Sequence, residues 1–155
     1  MKKSAFFAVL VLLLAMIRCE KEGDEGIVES RRFSKESHHA GEDCMQCHDG
    51  NTAEAPRFTA AGTVYKPGGE KVAANGKITL YTRSGAQGDV VIVIPVDARG
   101  NFYTNRPINW GNGLYPVVDG FWGARTMMSS SITRGNCNSC HTDSGNPTDR
   151  IEVNG

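Results

Sequence analysis

Histidine is scarce in this chain. Four occur among 155 residues, and they fall in only three places: His38-His39, His48 and His141. Neither a G-x-G-x-x-G nor a P-loop pattern is present, which removes the two common glycine-rich phosphate cradles. No run of Lys or Arg offers a surface for nucleic acid. The Ser/Thr-rich stretch from Thr126 to Thr133 has no His or acid at a triad spacing, so it is not read as a nucleophile. Apolar residues at helical spacing are missing between Arg57 and Ile132. The longest apolar or small run, Ser4 to Ile17, is too short to cross a bilayer comfortably.

Against that scarcity, the placement of the remaining two histidines is informative. Cys44-Met45-Gln46-Cys47-His48 and Cys137-Asn138-Ser139-Cys140-His141 repeat C-x-x-C-H, the signature of covalent haem attachment. In such a motif both thiols add to the vinyl groups of one haem, and the following histidine is held under the iron. With four His in 155 residues, roughly one C-x-x-C in forty would be followed by His by chance, so two together run to roughly one in fifteen hundred. The expectation is two covalently bound haem c groups. Cys44, Cys47, Cys137 and Cys140 would carry the thioethers, and His48 and His141 would be the proximal ligands. A Cys₄ zinc centre is the alternative, but about 90 residues separate the pairs, far more than in zinc ribbons. Disulfides among the four thiols leave the histidines unexplained.

The N-terminus reads as an export signal over residues 1–18, with Lys2 and Lys3 before the apolar run. The fifth cysteine, Cys19, stands where that run meets Glu20-Lys21-Glu22. This placement resembles the lipidated cysteine of bacterial lipoproteins, although Arg18 replaces the usual small residue. An uncleaved or differently cut signal with a spare thiol is the alternative. The resemblance implies an exported, periplasmic or cell-surface lipoprotein of a Gram-negative bacterium, held to the membrane by lipid. Removing residues 1–18 takes Lys2, Lys3 and Arg18 and no acid, leaving 14 basic against 17 acidic residues, a net charge of −3. Residues 19–37 are charged and aromatic-poor, and read as a tether.

The remaining chain suffices for one domain: a first haem-binding segment at 38–56, a β-module at 57–132, and a second haem-binding segment with tail at 133–155. Candidate strands are Phe58 to Tyr65, Lys77 to Thr82, Val90 to Ile94, Phe102 to Thr104, Leu114 to Asp119 and Ala124 to Ser130. Turn residues separate them, as at Asn75-Gly76 and Asp97 to Asn101. The continuously apolar Val90 to Ile94 suggests a strand buried on both faces. The fold class expected is mainly β, a single antiparallel sandwich. Six antiparallel passes return the chain to its starting end, which would set the haem peptides side by side. Trp110, Phe121 and Trp122 are expected in the core or against haem.

Gly62-Thr63-Val64-Tyr65, Ile78-Thr79-Leu80-Tyr81, Asp97 through Gly100-Asn101-Phe102-Tyr103 and Gly113-Leu114-Tyr115-Pro116 follow in an order that resembles the carboxypeptidase-regulatory-like, or transthyretin-like, β-sandwich. Modules of that family mostly bind or present ligands. With C-x-x-C-H on either side, the chain resembles small dihaem lipoproteins of metal- or electrode-respiring bacteria. That resemblance implies an electron carrier and not an enzyme, with other cytochromes as redox partners and possible assembly into a homo-oligomer or filament. A haem enzyme such as a peroxidase, or a β-sandwich adhesion module bearing haems, are the alternatives.

His38 and His39 are the only imidazoles left for the distal positions. Neighbours in an extended segment point in opposite directions, so the pair is expected to divide between the two irons, an arrangement resembling that of multihaem cytochromes. For the second iron, Met128 or Met127 is the alternative ligand. Core packing is the ordinary role of such methionines.

Overall fold

Alternation of apolar and polar side chains becomes strand throughout the centre of the chain. The computed structural model describes residues 26–142 and 150–153. The export signal, Cys19 and the start of the tether lie outside the described residues. The strands are β1 (Ala60–Tyr65), β2 (Lys77–Arg83), β3 (Gln87–Pro95), β4 (Asn101–Thr104), β5 (Tyr115–Asp119), β6 (Arg125–Met127), β7 (Gly135–Asn136) and β8 (Ile151–Glu152). Among the described residues there is no α-helix, and two short 3₁₀ turns occupy Cys44–Gln46 and Cys137–Ser139.

Two sheets pack as a sandwich. One has the order β3-β2-β5-β6, all antiparallel. The other is built on β1, with antiparallel β4 on one edge and the short parallel strands β7 and β8 on the other. Between them lie Ile78 and Leu80 of β2, Ile92 and Ile94 of β3, Val118 of β5, and Ala60, Val64 and Phe102 of the facing sheet. Burying one such large side chain stabilises the fold by about 1.5–3 kcal/mol. The chain is thus mainly β, with a single core between two sheets.

Two local expectations are corrected by where the elements fall. β3 is the edge strand of its sheet and is not covered on both faces: Val90 and Val93 are exposed, Ile92 and Ile94 lie in the core, and Val91 packs partly against it. Phe121 and Trp122 occupy the two central positions of the turn Gly120–Gly123, closed by the Gly123 amide donating to the Gly120 carbonyl at 3.1 Å. Such a turn projects its central side chains outward, and Trp122 is 80% exposed. Both rings cluster at the surface with Phe33. Trp110, by contrast, packs against the core.

The described part of the tether, from residue 26, lies along β4. The Ser30 amide donates to the Tyr103 carbonyl at 2.9 Å, and its hydroxyl reaches the Pro95 carbonyl at 2.5 Å. Glu29 bridges to Thr104 in antiparallel fashion. β4 has a free edge there, and unpaired edge amides and carbonyls recruit a neighbouring segment, which the charged composition did not reveal. On the opposite edge of β1, Gly135 permits close approach of β7: a Cβ at that position would lie 2.3 Å from the Thr59 carbonyl oxygen.

Candidate functional site

Both C-x-x-C-H pentapeptides fold the same way. Each opens with an extended residue, Asp43 at φ −72°, ψ 95° and Asn136 at φ −79°, ψ 78°. One 3₁₀ turn follows, ending at Cys47 and Cys140 with φ −105° and −109°. The Cys44 carbonyl accepts from the amides of Cys47 and His48 at 3.3 and 3.0 Å, and the Cys137 carbonyl accepts from Cys140 and His141 at 3.2 and 3.0 Å. Side chains three apart eclipse in a 3₁₀ turn, so each geometry sets its two thiols on one side with the histidine next in line.

A buried amide chain straps the two turns together and onto the sheet. Asn138, only 1% exposed, accepts from the Thr63 amide at 3.0 Å. Its Nδ2 donates to the Glu42 carbonyl at 2.7 Å and to Thr63 Oγ1 at 3.2 Å. Thr63 Oγ1 also accepts from the Gly41 amide at 2.8 Å and donates to Asn101 Oδ1 at 2.7 Å. Asn101 Nδ2 in turn donates to the His38 carbonyl at 3.0 Å. The two C-x-x-C-H turns are therefore neighbours, as the even number of strand crossings leads one to expect. The sequence gives no sign of this bridging role for Asn138 or Asn101. Asn138 is a spacer residue of the second motif, and spacers carry no signal of their own.

Each turn forms the wall of its own cavity. The outer cavity, of about 260 Å³, is lined by Cys44, Cys47 and His48 together with His38 and His39. His48 Nδ1 lies 2.8 Å from the Pro56 carbonyl. A carbonyl can only accept, so Nδ1 carries the proton and Nε2 is left with its lone pair, the arrangement that orients a metal-binding imidazole. The His48 ring stacks on Phe58 at 4.1 Å, and Phe58 on Tyr103 at 4.9 Å. The His38 ring is centred 5.9 Å from that of His48. With metal–nitrogen bonds of about 2 Å on each side, two imidazoles sharing one metal have centroids about 6 Å apart.

The expected division of the histidine pair does not occur: both members line the outer cavity. His39 adopts φ 49°, a left-handed conformation that breaks the alternation of an extended segment, and the two rings stay 5.1 Å apart. His39 Nδ1 is engaged by Glu42 Oε1 at 3.0 Å on the exposed side.

The inner cavity, of about 370 Å³, opens between the two sheets. Cys137, Cys140 and His141 line it, with Leu80, Ile94 and Phe102 from the core, Met127 and Met128 from β6 and its continuation, and Arg134. Gly62 makes room for the turn: a Cβ there would lie 2.9 Å from Cys137 Cβ and 2.7 Å from Phe102 Cζ. The two cavities sit on opposite faces of the β1/β4 sheet. Phe102 points into the inner one, and its neighbour Tyr103 lines the outer one.

The leading thiol of each turn is not poised as a free nucleophile. Cys137 keeps some exposure to its cavity, yet desolvation by the surrounding protein, reinforced by nearby Cys44, pushes its thiol up to about 12. Burial likewise raises Cys44 to about 11. Catalytic cysteines need the opposite shift. Cys44, Cys47, Cys137 and Cys140 are all free of disulfides. Among the described residues no group of three or more His, Cys, Asp or Glu side chains is placed to hold a metal ion. At the first turn, paired thiols and an imidazole oriented by the Pro56 carbonyl fit a covalently held haem; at the second, paired thiols and His141 line an apolar cavity of the same kind.

No protein-family model matches the chain, and comparison with curated proteins and with solved structures gives no match.

Proposed function

We propose that this chain is a dihaem c-type cytochrome that carries single electrons outside the cytoplasm. The observation that supports it is the pairing of two identically folded C-x-x-C-H turns with two separate cavities. When bound, haem supplies the one-electron chemistry, and the protein supplies attachment, axial ligands and exposure. Cys44 and Cys47 hold the outer group and Cys137 and Cys140 the inner. His48, fixed by Pro56, and His141 would be their proximal ligands. His38 would take the distal position of the outer group, closing the iron position a peroxidase needs open. Arg134, at the inner cavity, offers positive charge to the cofactor's carboxylates.

The export signal and Cys19 complete the reading as a membrane-tethered lipoprotein, similar to small dihaem carriers with transthyretin-like modules, whose redox partners are other cytochromes. Intact mass after expression with haem-maturation machinery should show two covalent haems, and Cys44→Ala and Cys137→Ala should each impair one attachment. A fatty-acid probe should label the wild type and not Cys19→Ser. Stoichiometric zinc with no covalent haem would refute the assignment.

A further inference from the structure

The two cavities differ in the ligands they offer. The outer one has two imidazoles beside His48 and no methionine among its lining residues. The inner one has His141 as its sole imidazole, and both Met127 and Met128.

Strand register separates the two methionines. Val118 lies opposite Thr126 and Val117 opposite Met127. The Met128 amide donates to the Pro116 carbonyl at 3.1 Å, which carries the register on to place Met128 opposite Pro116. Residues directly opposite across an antiparallel pair share a face, and faces alternate along a strand. Pro116 and Val118 line the inner cavity, so Met128 faces it with Thr126. Met127 shares the outer face with Val117 and is 49% exposed, whereas Met128 is half-buried.

Building on the dihaem assignment above, we propose that Met128 is the distal ligand of the inner haem and His38 that of the outer one, so that the inner site has the higher reduction potential. A thioether opposite imidazole raises the potential of a haem, whereas two imidazoles keep it lower. The charges around the sites act in the same direction. Glu36, Glu42 and Asp43 line the outer cavity with no Lys or Arg among its lining residues, and carboxylates favour the more positive ferric state. Arg134 and Arg150 line the inner cavity against one acid, Glu152. The inner cavity also reaches into the apolar core, where the additional ferric charge is less well solvated. Ligand, charge and burial thus order the two sites, and electrons reaching the outer site run downhill to the inner one.

The test uses the full, haem-matured protein. The ferric wild type should show the weak near-infrared band of a methionine–iron bond, and potentiometric titration should resolve two one-electron steps. Met128→Ala should abolish the band and leave one iron high-spin, while Met127→Ala should keep the band. Met128→His should give two bis-imidazole sites without the band. It should lower only the higher potential, and because it restores a ligand it checks the assignment even if the alanine variant matures poorly. A wild type lacking the band, a band surviving Met128→Ala, or one lost in Met127→Ala would overturn the proposal. Intact mass keeps the two levels apart: two covalent haems without the band leave the cytochrome assignment standing and remove this one, whereas no covalent haem removes both.

Discussion

Asn138→Ala tests the strap that sets the two C-x-x-C-H turns beside each other. The substitution deletes a side chain that accepts from the Thr63 amide and donates to the Glu42 carbonyl and to Thr63 Oγ1. Thr63 Oγ1 keeps its bonds to Gly41 and Asn101, so two backbone groups lose their partner. A buried polar group left unsatisfied costs about 1–3 kcal/mol. Water can reach the Glu42 side more easily than β1, because Glu42 is exposed and Thr63 is not. The expected loss is therefore about 3 kcal/mol, large against the roughly 5–15 kcal/mol of a typical domain. With a urea slope of about 1–3 kcal/mol per molar, the unfolding midpoint of the haem-matured protein should fall by about 1–3 M, followed by far-ultraviolet circular dichroism. Haem stoichiometry by mass should stay at two, since the attachment residues are intact. Thr63→Val acts on the same network, so the double variant should depart from additivity by at least about 0.5 kcal/mol. A loss below about 0.5 kcal/mol for Asn138→Ala, or strict additivity with Thr63→Val, would show that the strap does not hold the turns.

Two further substitutions probe the separate sites. Gly62→Ala introduces a Cβ within 2.9 Å of Cys137 Cβ and 2.7 Å of Phe102 Cζ, so intact mass should show a rise in protein carrying one haem, with the peptide containing Cys137 unmodified; full attachment at both turns would contradict the crowding argument. His38→Ala should convert the outer iron to high spin, while His39→Ala, whose ring is engaged by Glu42 on the exposed side, should leave the low-spin spectrum unchanged; the reverse pattern would reassign the distal ligand.

Much of the fold was legible because alternation reports which face is buried. The six main strands fall within a few residues of the segments expected from pattern and turn residues. Position within a sheet was not legible: Val90 to Ile94 has the composition of a central strand, yet β3 lies at an edge. The two turns were legible because C-x-x-C-H recurs at a fixed local spacing, and both copies fold alike. The fate of the histidine pair was not, since it turns on one left-handed residue, His39 at φ 49°. No rule of alternation anticipates that reversal, because a non-glycine residue seldom adopts it. The bridging role of Asn138 and Asn101 was not legible for a different reason: their shared partner Thr63 lies 75 and 38 residues earlier in the chain, and such pairings exist only after folding.

What the architecture adds to the two motifs is the use of one sheet as a shared wall. β4 carries Phe102 and Tyr103 in succession, and the pleat sends the first into the inner cavity and the second into the outer. From Tyr103 the stacked rings of Phe58 and His48 lead directly to the outer attachment turn. At the edge of β1, the second turn straddles the sheet in the same manner, with Cys137 packed over Gly62 on one face and Asn138 bonded to Thr63 and Glu42 on the other. In the dihaem proposal, groups seated on either side of this sheet would be spaced by the sheet itself, while its two faces would give each site its own ligands and charge.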